Sequence, residues 1–320
     1  MPLAILRSPG EWLARFGGAR KPAAVTIGNF DGVHLGHQQI LRGVRERARA
    51  ADLMAAVLTF YPHPARVLRP DCAPSLLATL PQRLAAFDSA QLDAALVLPF
   101  DPTLASMSAE EFVKNFLVDT MRSRVILVGG NFRFGHRQAG DVALLEKLGS
   151  RSNFKVEVVA PVVVNGEIVS STAIRTALRE GRVEDAARLL GRPFALAGGI
   201  RTGTGLGRKL VVPTLNLSTE QEALPKNGVY ATETVVGGRT YRSATNVGLR
   251  PTFDGHQLAI ESHLFDFSEN LTRGPMEVRF HARLREERKF PGSEALREQI
   301  LKDIEQAKEY FARAQKPATA

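Results

Sequence analysis

Short apolar segments alternate with helix-like segments through the first half of the chain, and this alternation limits the fold more than any other feature. The apolar segments are rich in Val, Ile and Leu, and they cover residues 23–30, 54–60, 93–100, 124–130 and 154–161. The segments between them include the helix-like stretches 36–51 and 108–121. Strands that are apolar along their whole length are buried on both faces, so the pattern predicts a parallel sheet covered by helices. Ligands of such sheets bind beyond the carboxyl ends of the strands.

The segment GNFDGVHLGH, residues 28–37, stands at the end of the first of these strands. Gly28 and Gly32 allow a sharp turn and a close approach of the backbone to a ligand. His34 and His37 lie at the start of a predicted helix, where backbone N–H groups and the helix dipole favour a phosphate. Two imidazoles would stabilise charge during a nucleotidyl transfer. The alternative is that two polar residues merely decorate a helix start.

A second candidate is SSTAIRTALREG, residues 170–181. Ser170 or Ser171 can cap a helix that ends at Gly181. The hydroxyls of Ser171 and Thr172, with Arg175 one turn further on, would form a second cradle for an anion. A simple capped helix with no ligand is the alternative interpretation.

Two further segments follow strands and are predicted to reach the same crevice. In VGGNFRFGHRQAGD, residues 128–141, Phe132, Arg133 and Phe134 could frame a flat ring while Asn131 binds its edge. In TFYPHP, residues 59–64, His63 is held between prolines. The phenylalanines could instead belong to the core, and the histidine could be structural.

The pattern changes near residues 187–200, where a helix closes and a segment rich in Gly and Thr begins. Five short strand-like pieces follow up to about residue 290, divided by turn residues, and they predict a small antiparallel barrel or sandwich. Apolar residues at three- and four-residue steps then predict a terminal amphipathic helix over 293–314.

Composition narrows the classes of function. The single cysteine, Cys72, cannot form a disulfide within the chain, which fits a reducing cytoplasm. The chain lacks a convincing signal peptide and any apolar run of about eighteen residues, so we expect no membrane span. The net charge of +9 comes from 42 Lys and Arg against 33 Asp and Glu. These basic residues are scattered and lack an aromatic stacking motif, which favours phosphorylated small molecules over nucleic acid.

These motifs resemble a known family. HxGH with a later SSTxIR is similar to the HxGH nucleotidylyltransferase superfamily. With residues 59–64 and 131–135, the two motifs look like the adenylyltransferase half of the prokaryotic bifunctional riboflavin kinase/FAD synthetase family. The kinase half of that family resembles GGIRTGTGLGRKLVVPTLNL (198–217), NVGLRPTF (246–253) and ESHLFDF (261–267), in this order. The resemblance covers residues 15 to 311.

The resemblance implies a fold and a pair of reactions. It implies a Rossmann-like α/β nucleotidylyltransferase domain over 1–186 and an antiparallel β-barrel riboflavin kinase domain with a terminal helix over 187–320. The second domain would phosphorylate riboflavin to FMN with ATP, and the first would join FMN to AMP from ATP, giving FAD and pyrophosphate. Mg²⁺ would assist, and FMN and FAD would be substrate and product rather than resident cofactors. We expect a cytoplasmic enzyme with no nucleic-acid or membrane partner; its oligomeric state stays open.

The resemblance also implies roles for individual residues. His34, His37 and Glu261 would be catalytic, with Glu261 the base that accepts the riboflavin proton. Thr214 and Asn216, two apart on a strand, would offer neutral oxygens on one face to Mg²⁺. The predicted nucleotide- and phosphate-binding residues are Gly28, Asn29, Phe30, Asp31, Gly36, Ser170, Ser171, Thr172, Arg175, Gly203, Gly205 and Gly207. The predicted flavin-binding residues are His63, Asn131, Phe132, Arg133 and Phe134.

One departure bears on the kinase half. The family usually has Gly-Phe before Pro-Thr, where this chain has Val211 and Val212. The change removes backbone freedom and an aromatic wall beside the metal site, so an adenylyltransferase with an impaired kinase half is one alternative. The others are a nucleotidylyltransferase that uses phosphopantetheine, a flavin- or nucleotide-binding protein without catalysis, and a nucleic-acid binder whose affinity would depend on salt.

Overall fold

The computed structural model describes residues 2–18, 21–201, 214–252, 255–269 and 271–314. Contacts within the chain divide it into two compact units, Met1–Ser170 and Ser171–Ala320. The division falls before the predicted domain boundary at 186/187, which stays a prediction.

The first unit is a six-stranded parallel sheet with the strand order β1-β4-β3-β2-β5-β6. The parallel sheet predicted from the alternation is therefore confirmed, and β1 with α1 adds an edge that the sequence pattern did not indicate. The strands are β1 (Ala4–Leu6), β2 (Ala23–Ile27), β3 (Met54–Tyr61), β4 (Ala94–Pro99), β5 (Ser123–Gly129) and β6 (Lys155–Val159). The helices are α1 (Pro9–Phe16), α2 (Leu35–Ala50), α3 (Pro64–Leu68), α4 (Leu80–Ser89), α5 (Pro102–Ser106), α6 (Ala109–Phe112) and α7 (Val142–Ser152). A short hairpin, β7 (Val163–Val164) and β8 (Glu167–Ile168), follows β6.

Burial on both faces explains why the central strands β2, β3 and β4 are apolar along nearly their whole length, whereas the edge strand β6 is partly exposed. Val25 packs into one core and Ala24 into another on the opposite face, and neither is exposed. Gly43 allows helix α2 to lie close to the sheet. A Cβ atom at this position would be only 2.8 Å from the Leu127 side chain. The helix predicted over 108–121 is helical but not uniform, since α6 passes into a π-helix at Val113–Thr120.

Two helices, α8 (Ser171–Glu180) and α9 (Val183–Leu190), begin the second unit. Lys226 donates its backbone N–H to the Leu178 carbonyl over 2.8 Å, which ties α8 to the barrel segment. The helix predicted to end at Gly181 does end there. Gly181 has a φ of +82°, and the backbone N–H of Arg182 reaches the Ala177 carbonyl over 2.8 Å.

The rest of the second unit is a closed antiparallel barrel with the strand order β10-β13-β12-β11-β14-β9. Its strands are β9 (Phe194–Arg201), β10 (Leu215–Thr219), β11 (Gly228–Val236), β12 (Arg239–Thr252), β13 (Gly255–Leu264) and β14 (Pro275–Glu286). The terminal helix α10 (Ser293–Ala314) packs Ile304, Ala307 and Phe311 against the outside of β11, β12 and β14. The strand pattern in the sequence allowed either a barrel or a sandwich, and the closed strand order shows that the fold is a barrel.

The interior of the barrel carries a chain of buried hydroxyls. Thr232 Oγ1 lies 2.8 Å from Ser243 Oγ and 2.6 Å from Thr245 Oγ1, and Thr245 Oγ1 lies 2.8 Å from Ser262 Oγ. These four residues are fully buried. Hydrogen bonding among the hydroxyls offsets the cost of removing them from water. Side chains that alternate with these residues along each strand therefore face outward.

In the part of the chain that the structure describes, no helix is both long enough and apolar enough to span a membrane.

Candidate active sites

The first candidate site is the loop that joins the end of β2 to α2. The loop leaves the sheet sharply: Phe30, Gly32 and Val33 have φ values of 51°, 82° and 41°. A positive φ is unusual for a β-branched residue such as Val33 and indicates local strain. The surrounding structure must hold the loop in this shape.

His34 forms the N-cap of α2. Its Nδ1 accepts a hydrogen bond from the backbone N–H of His37 over 3.4 Å, and its side chain is buried. A Cβ atom on Gly36 would lie only 3.3 Å from the His34 ring, so glycine leaves room for that ring. The cap directs one imidazole to the positive end of a sixteen-residue helix, where an anion is favoured.

The two histidines of the HxGH motif are stacked. Their ring centroids are 3.7 Å apart with an interplanar angle of 18°, and Phe30 meets His37 edge-on at 5.1 Å. Burial, and secondarily the neighbouring His34, hold the pKa of His37 well below its usual value. Its Nδ1 is buried and has no hydrogen-bond partner among the described residues. A neutral imidazole in this place can donate a hydrogen bond to a phosphate without first losing or gaining a proton.

Phe30 and Asp31, also predicted as binding residues in this loop, are both buried, one against aromatic rings and the other against backbone N–H groups. Phe30 is buried against Phe87 with ring centroids 5.4 Å apart, and a Cβ atom on Gly28 would lie 3.2 Å from the Phe30 ring. The Asp31 carboxylate is buried and accepts backbone hydrogen bonds from Leu77 and Ala78 over 3.0 and 3.1 Å. The nucleotide-binding roles of Gly28, Asn29, Phe30, Asp31 and Gly36 stay predictions.

Arg83 on α4 is a residue of this site that the sequence analysis missed. It is buried, and its Nη1 donates to the Asn29 carbonyl over 2.7 Å. In the sequence it is one arginine within a helical pattern with no motif around it, and only the structure shows that it is buried.

The predicted flavin-binding residues follow the strands on either side of β2. His63 follows β3, where its Nδ1 accepts the Ala65 backbone N–H over 3.2 Å and caps α3. The segment 131–134 follows β5, and both β3 and β5 are hydrogen-bonded to β2. The carboxyl ends of parallel neighbours lie at one edge of the sheet, so these loops flank the HxGH loop.

Within 131–134 the side chains differ in exposure. Phe132 and Phe134 stack with ring centroids 5.3 Å apart, and Phe134 is buried in the core. Asn131 and Arg133 are exposed, and Arg133 pairs with Asp141 over 3.2 Å. Only Phe132, Asn131 and Arg133 thus offer accessible surface to a ligand.

Ser170 ends the first unit, and Ser171, Thr172 and Arg175 lie on the first turns of α8. Thr172 is exposed, and the other three are partly buried. Ile174, Ala177 and Leu178 form the buried face of this helix.

The second candidate site lies on the outer face of the barrel. Strand pairing places Asn216 of β10 opposite Glu261 of β13, and Asn246 of β12 opposite Glu261 on its other side. All three are partly buried, whereas Leu215, Ser262 and Thr245 beside them face inward and are buried. Side chains directly opposite each other across strands are in contact range. The register therefore places one amide on each side of the carboxylate.

Thr214 directly precedes β10 and is partly buried. Gly203, Gly205 and Gly207, together with Val211 and Val212, lie outside the described residues. Asn246 was not among the predicted site residues, although it opens the quoted NVGLRPTF segment; only strand register links it to Glu261. Among the described residues, no group of three or more His, Cys, Asp or Glu side chains is arranged to hold a metal ion.

Two family models match the chain. One described as FAD synthetase matches residues 18–173, and one described as riboflavin kinase matches residues 190–311. The first match extends through Ser171 and Thr172 into the start of α8.

Individual proteins resemble the chain over most of its length. A bifunctional riboflavin kinase/FMN adenylyltransferase from Pseudomonas fluorescens is 40% identical over 284 residues, which are 88% of this chain and 91% of the relative. The protein of the same name from Haemophilus influenzae is 37% identical over 289 residues, 90% of this chain and 94% of the relative. A crystal structure described as a macrolide-efflux protein from Streptococcus pneumoniae matches with a TM-score of 0.84 and 26% identity, covering 96% of this chain and 99% of that one.

Proposed function

The chain belongs to the family of bifunctional riboflavin kinases/FMN adenylyltransferases, and we propose that its two candidate sites carry the two reactions in turn. The barrel site converts riboflavin and ATP to FMN and ADP. The HxGH site converts FMN and a second ATP to FAD and pyrophosphate. We place the domain boundary at 186/187, just ahead of the riboflavin kinase match that starts at residue 190.

The stacked pair of His34 and His37 at the start of α2 is the observation that carries the adenylyltransferase assignment. In this reaction an FMN phosphate oxygen attacks the α-phosphorus of ATP, and the bond to the leaving pyrophosphate breaks. The neutral His37 ring and the positive N-terminal end of α2 stabilise the phosphate oxygens as charge builds on them. No covalent enzyme intermediate is required.

The predicted binding residues divide between the two substrates of this step. Gly28, Asn29, Phe30, Asp31 and Gly36 shape the ATP side of the HxGH site. Ser170, Ser171, Thr172 and Arg175 bind phosphate by resemblance to the family, and the FAD synthetase match supports this up to residue 173. His63, Asn131, Phe132, Arg133 and Phe134 serve the flavin, supported by their position after the strands that flank β2.

In the barrel, Glu261 is the base. It accepts the proton of the ribityl 5′-hydroxyl as that oxygen attacks the γ-phosphorus and the bond to the ADP oxygen breaks. Asn246 lies opposite and orients the carboxylate, supported by the strand register. Gly203, Gly205 and Gly207 contact the phosphates of this ATP by resemblance to the family.

Mg²⁺ fits the donors beside Glu261. The Thr214 hydroxyl and the Asn216 amide oxygen are neutral oxygen ligands of the kind that bind Mg²⁺ together with phosphate oxygens and water. When bound, the ion supplies positive charge that offsets the charge on the transferring phosphates. We also propose that the protein acts in the cytoplasm, where its nucleotide substrate is made and a lone thiol such as Cys72 stays reduced.

A product assay tests this function. The purified protein is incubated with ATP and Mg²⁺, starting in parallel from riboflavin and from FMN, and the flavins are separated by chromatography. We expect FMN and then FAD from riboflavin, and FAD from FMN, with both reactions stopped by a chelator. FAD from FMN but no product from riboflavin would show that the Val211–Val212 departure disables the kinase half. No conversion of either flavin would overturn the enzyme assignment.

A further inference from the structure

The side chain of Arg83 lies between the ends of two neighbouring strands. Its Nη1 donates to the Asn29 carbonyl over 2.7 Å and to the Thr59 hydroxyl over 3.2 Å. Nη1 and Nη2 both reach the Phe60 carbonyl, over 3.4 and 3.3 Å. Asn29 follows β2 and Phe60 lies near the end of β3, so one guanidinium joins the starts of two loops at the ligand-binding edge.

A second set of bonds runs in the opposite direction. Asp31, two residues after Asn29, accepts the backbone N–H groups of Leu77 and Ala78, which lead into α4. Arg83 on α4 in turn binds the backbone beside Asp31. Each segment therefore uses a buried side chain to hold the backbone of the other, and the exchange fixes their relative position.

Burial of this cation is costly, so its place in the interior calls for a physical reason. Arg83 is 5% exposed, and burial lowers its pKa, while the neighbouring Asp31 acts in the opposite direction. An apolar side chain of similar size would avoid the desolvation cost. The planar fork of arginine, however, can bond two backbone carbonyls at once, which a lysine ammonium cannot match in geometry.

We propose that Arg83 is a positioning residue for adenylyl transfer. It acts through the Asn29 and Phe60 carbonyls and holds the strained loop in the conformation that presents His34 and His37 to the phosphates. The loop between Asn29 and His34 contains Phe30 and Val33 in left-handed conformations, which persist only where the surroundings enforce them. This inference rests on the proposed function of the HxGH site.

The test compares Arg83→Met and Arg83→Lys with Arg42→Met, in which an exposed arginine of α2 receives the same replacement. For each full-length protein, kcat and KM for ATP and FMN are measured in the conversion of FMN to FAD. The riboflavin-to-FMN rate of the same preparation reports whether the other unit is intact, and the melting of Trp12 fluorescence reports the fold of the first unit.

We expect Arg83→Met to lower kcat by about 10- to 100-fold, because small misplacement of catalytic groups costs this much. KM should change less than kcat, the kinase rate should stay unchanged, and Arg83→Lys should recover part of kcat by bonding one carbonyl. Arg42→Met should match the wild type.

A folded Arg83→Met or Arg83→Lys protein with wild-type kcat would overturn the proposal. If Arg83→Met does not fold, Arg83→Lys decides: wild-type melting with reduced kcat supports positioning, and a kcat loss that only parallels lost folded protein contradicts it. Absence of FAD formation by the wild type would instead defeat the proposed function itself.

Discussion

The two units hold their proposed functional groups by different means. In the first unit the groups stand on a strained loop and a helix start, and distant side chains hold that loop in place. In the barrel, Asn216, Glu261 and Asn246 form a row because their strands pair in one register. A loop-based site should thus be sensitive to remote contacts, whereas a register-based site should be sensitive mainly to its own residues and to the stability of the barrel.

Glu261→Gln should produce the largest difference between the activities of the two units. Loss of the proposed base should slow riboflavin phosphorylation by about 10²- to 10⁴-fold, the usual contribution of general base catalysis. FAD formation from FMN should be unchanged. Both rates are measured on one preparation, with Glu269→Gln, an exposed carboxylate of the same unit, as control. Retained kinase activity in the variant would remove Glu261 from the mechanism.

His37→Ala is the corresponding change in the first unit, and it should impair only FAD formation. Removal of a donor aimed at developing phosphate charge should lower kcat for FAD formation by about 10²- to 10³-fold. The riboflavin kinase rate should not change. If both activities fell together, the assumed independence of the two sites would be wrong.

Asp303→Ala tests whether the barrel depends on its helical cover. Asp303 of α10 is buried and binds Nε and Nη2 of Arg285, each over 2.7 Å, and also Gln299 over 2.8 Å. Breaking a buried pair leaves an uncompensated charge, so the free energy of unfolding of this unit should fall by about 3–5 kcal/mol.

The aromatic residues allow the two units to be followed separately in denaturant. Trp12, the single tryptophan, lies in the first unit with Tyr61, whereas the other three of the four tyrosines, Tyr230, Tyr241 and Tyr310, lie in the second. Most of the tyrosine near-ultraviolet signal, which comes from the second unit, should shift to lower denaturant in Asp303→Ala while the Trp12 transition stays in place. Equal shifts of both signals would show that the units unfold together.

Asn246→Ala should have a smaller effect on the kinase reaction. Strand register places Asn246 opposite Glu261, and we propose that its amide holds the carboxylate. Loss of a hydrogen bond to a charged group costs about 1.5–3 kcal/mol, so kcat should fall about 10- to 100-fold. The pH–rate profile of the kinase reaction should also change, because Asn246 stands opposite the proposed base in the strand register. An unchanged profile would exclude Asn246 from positioning Glu261.

The smallest expected effect is the pH dependence of the first unit. The pKa of His37 is lowered in the folded state, so the unfolded state binds more protons below about pH 6.5. Stability is therefore lost as the pH falls from about 6.5 toward the lowered pKa, by at most ~1.4 kcal/mol at pH 5.5. Unfolding followed by Trp12 fluorescence should show this loss in the wild type and less of it in His37→Gln. Equal losses would show that His37 titrates normally.

Much of the fold was predictable because its signals are local. Uniformly apolar runs such as AAVTI predicted strands buried on both faces, and the spacing of Ile304, Ala307 and Phe311 predicted the terminal helix. The edge strand β1 has only three residues, too few to show a pattern. The π-helix at Val113–Thr120 depends on packing rather than on a residue type, and the periodicity therefore indicated only a helix.

The sequence by itself determined the motifs, the order of the two domains and the family, since these depend on neighbours along the chain. Tertiary structure decided that the strands close into a barrel, that Asn246 stands beside Glu261, and that Arg83 binds the Asn29 carbonyl 54 residues away. Hydrogen bonds of this kind join segments whose separation in the chain carries no periodic signal. They form only when packing brings the segments together, because burial of their polar groups is stable only where each donor meets its acceptor.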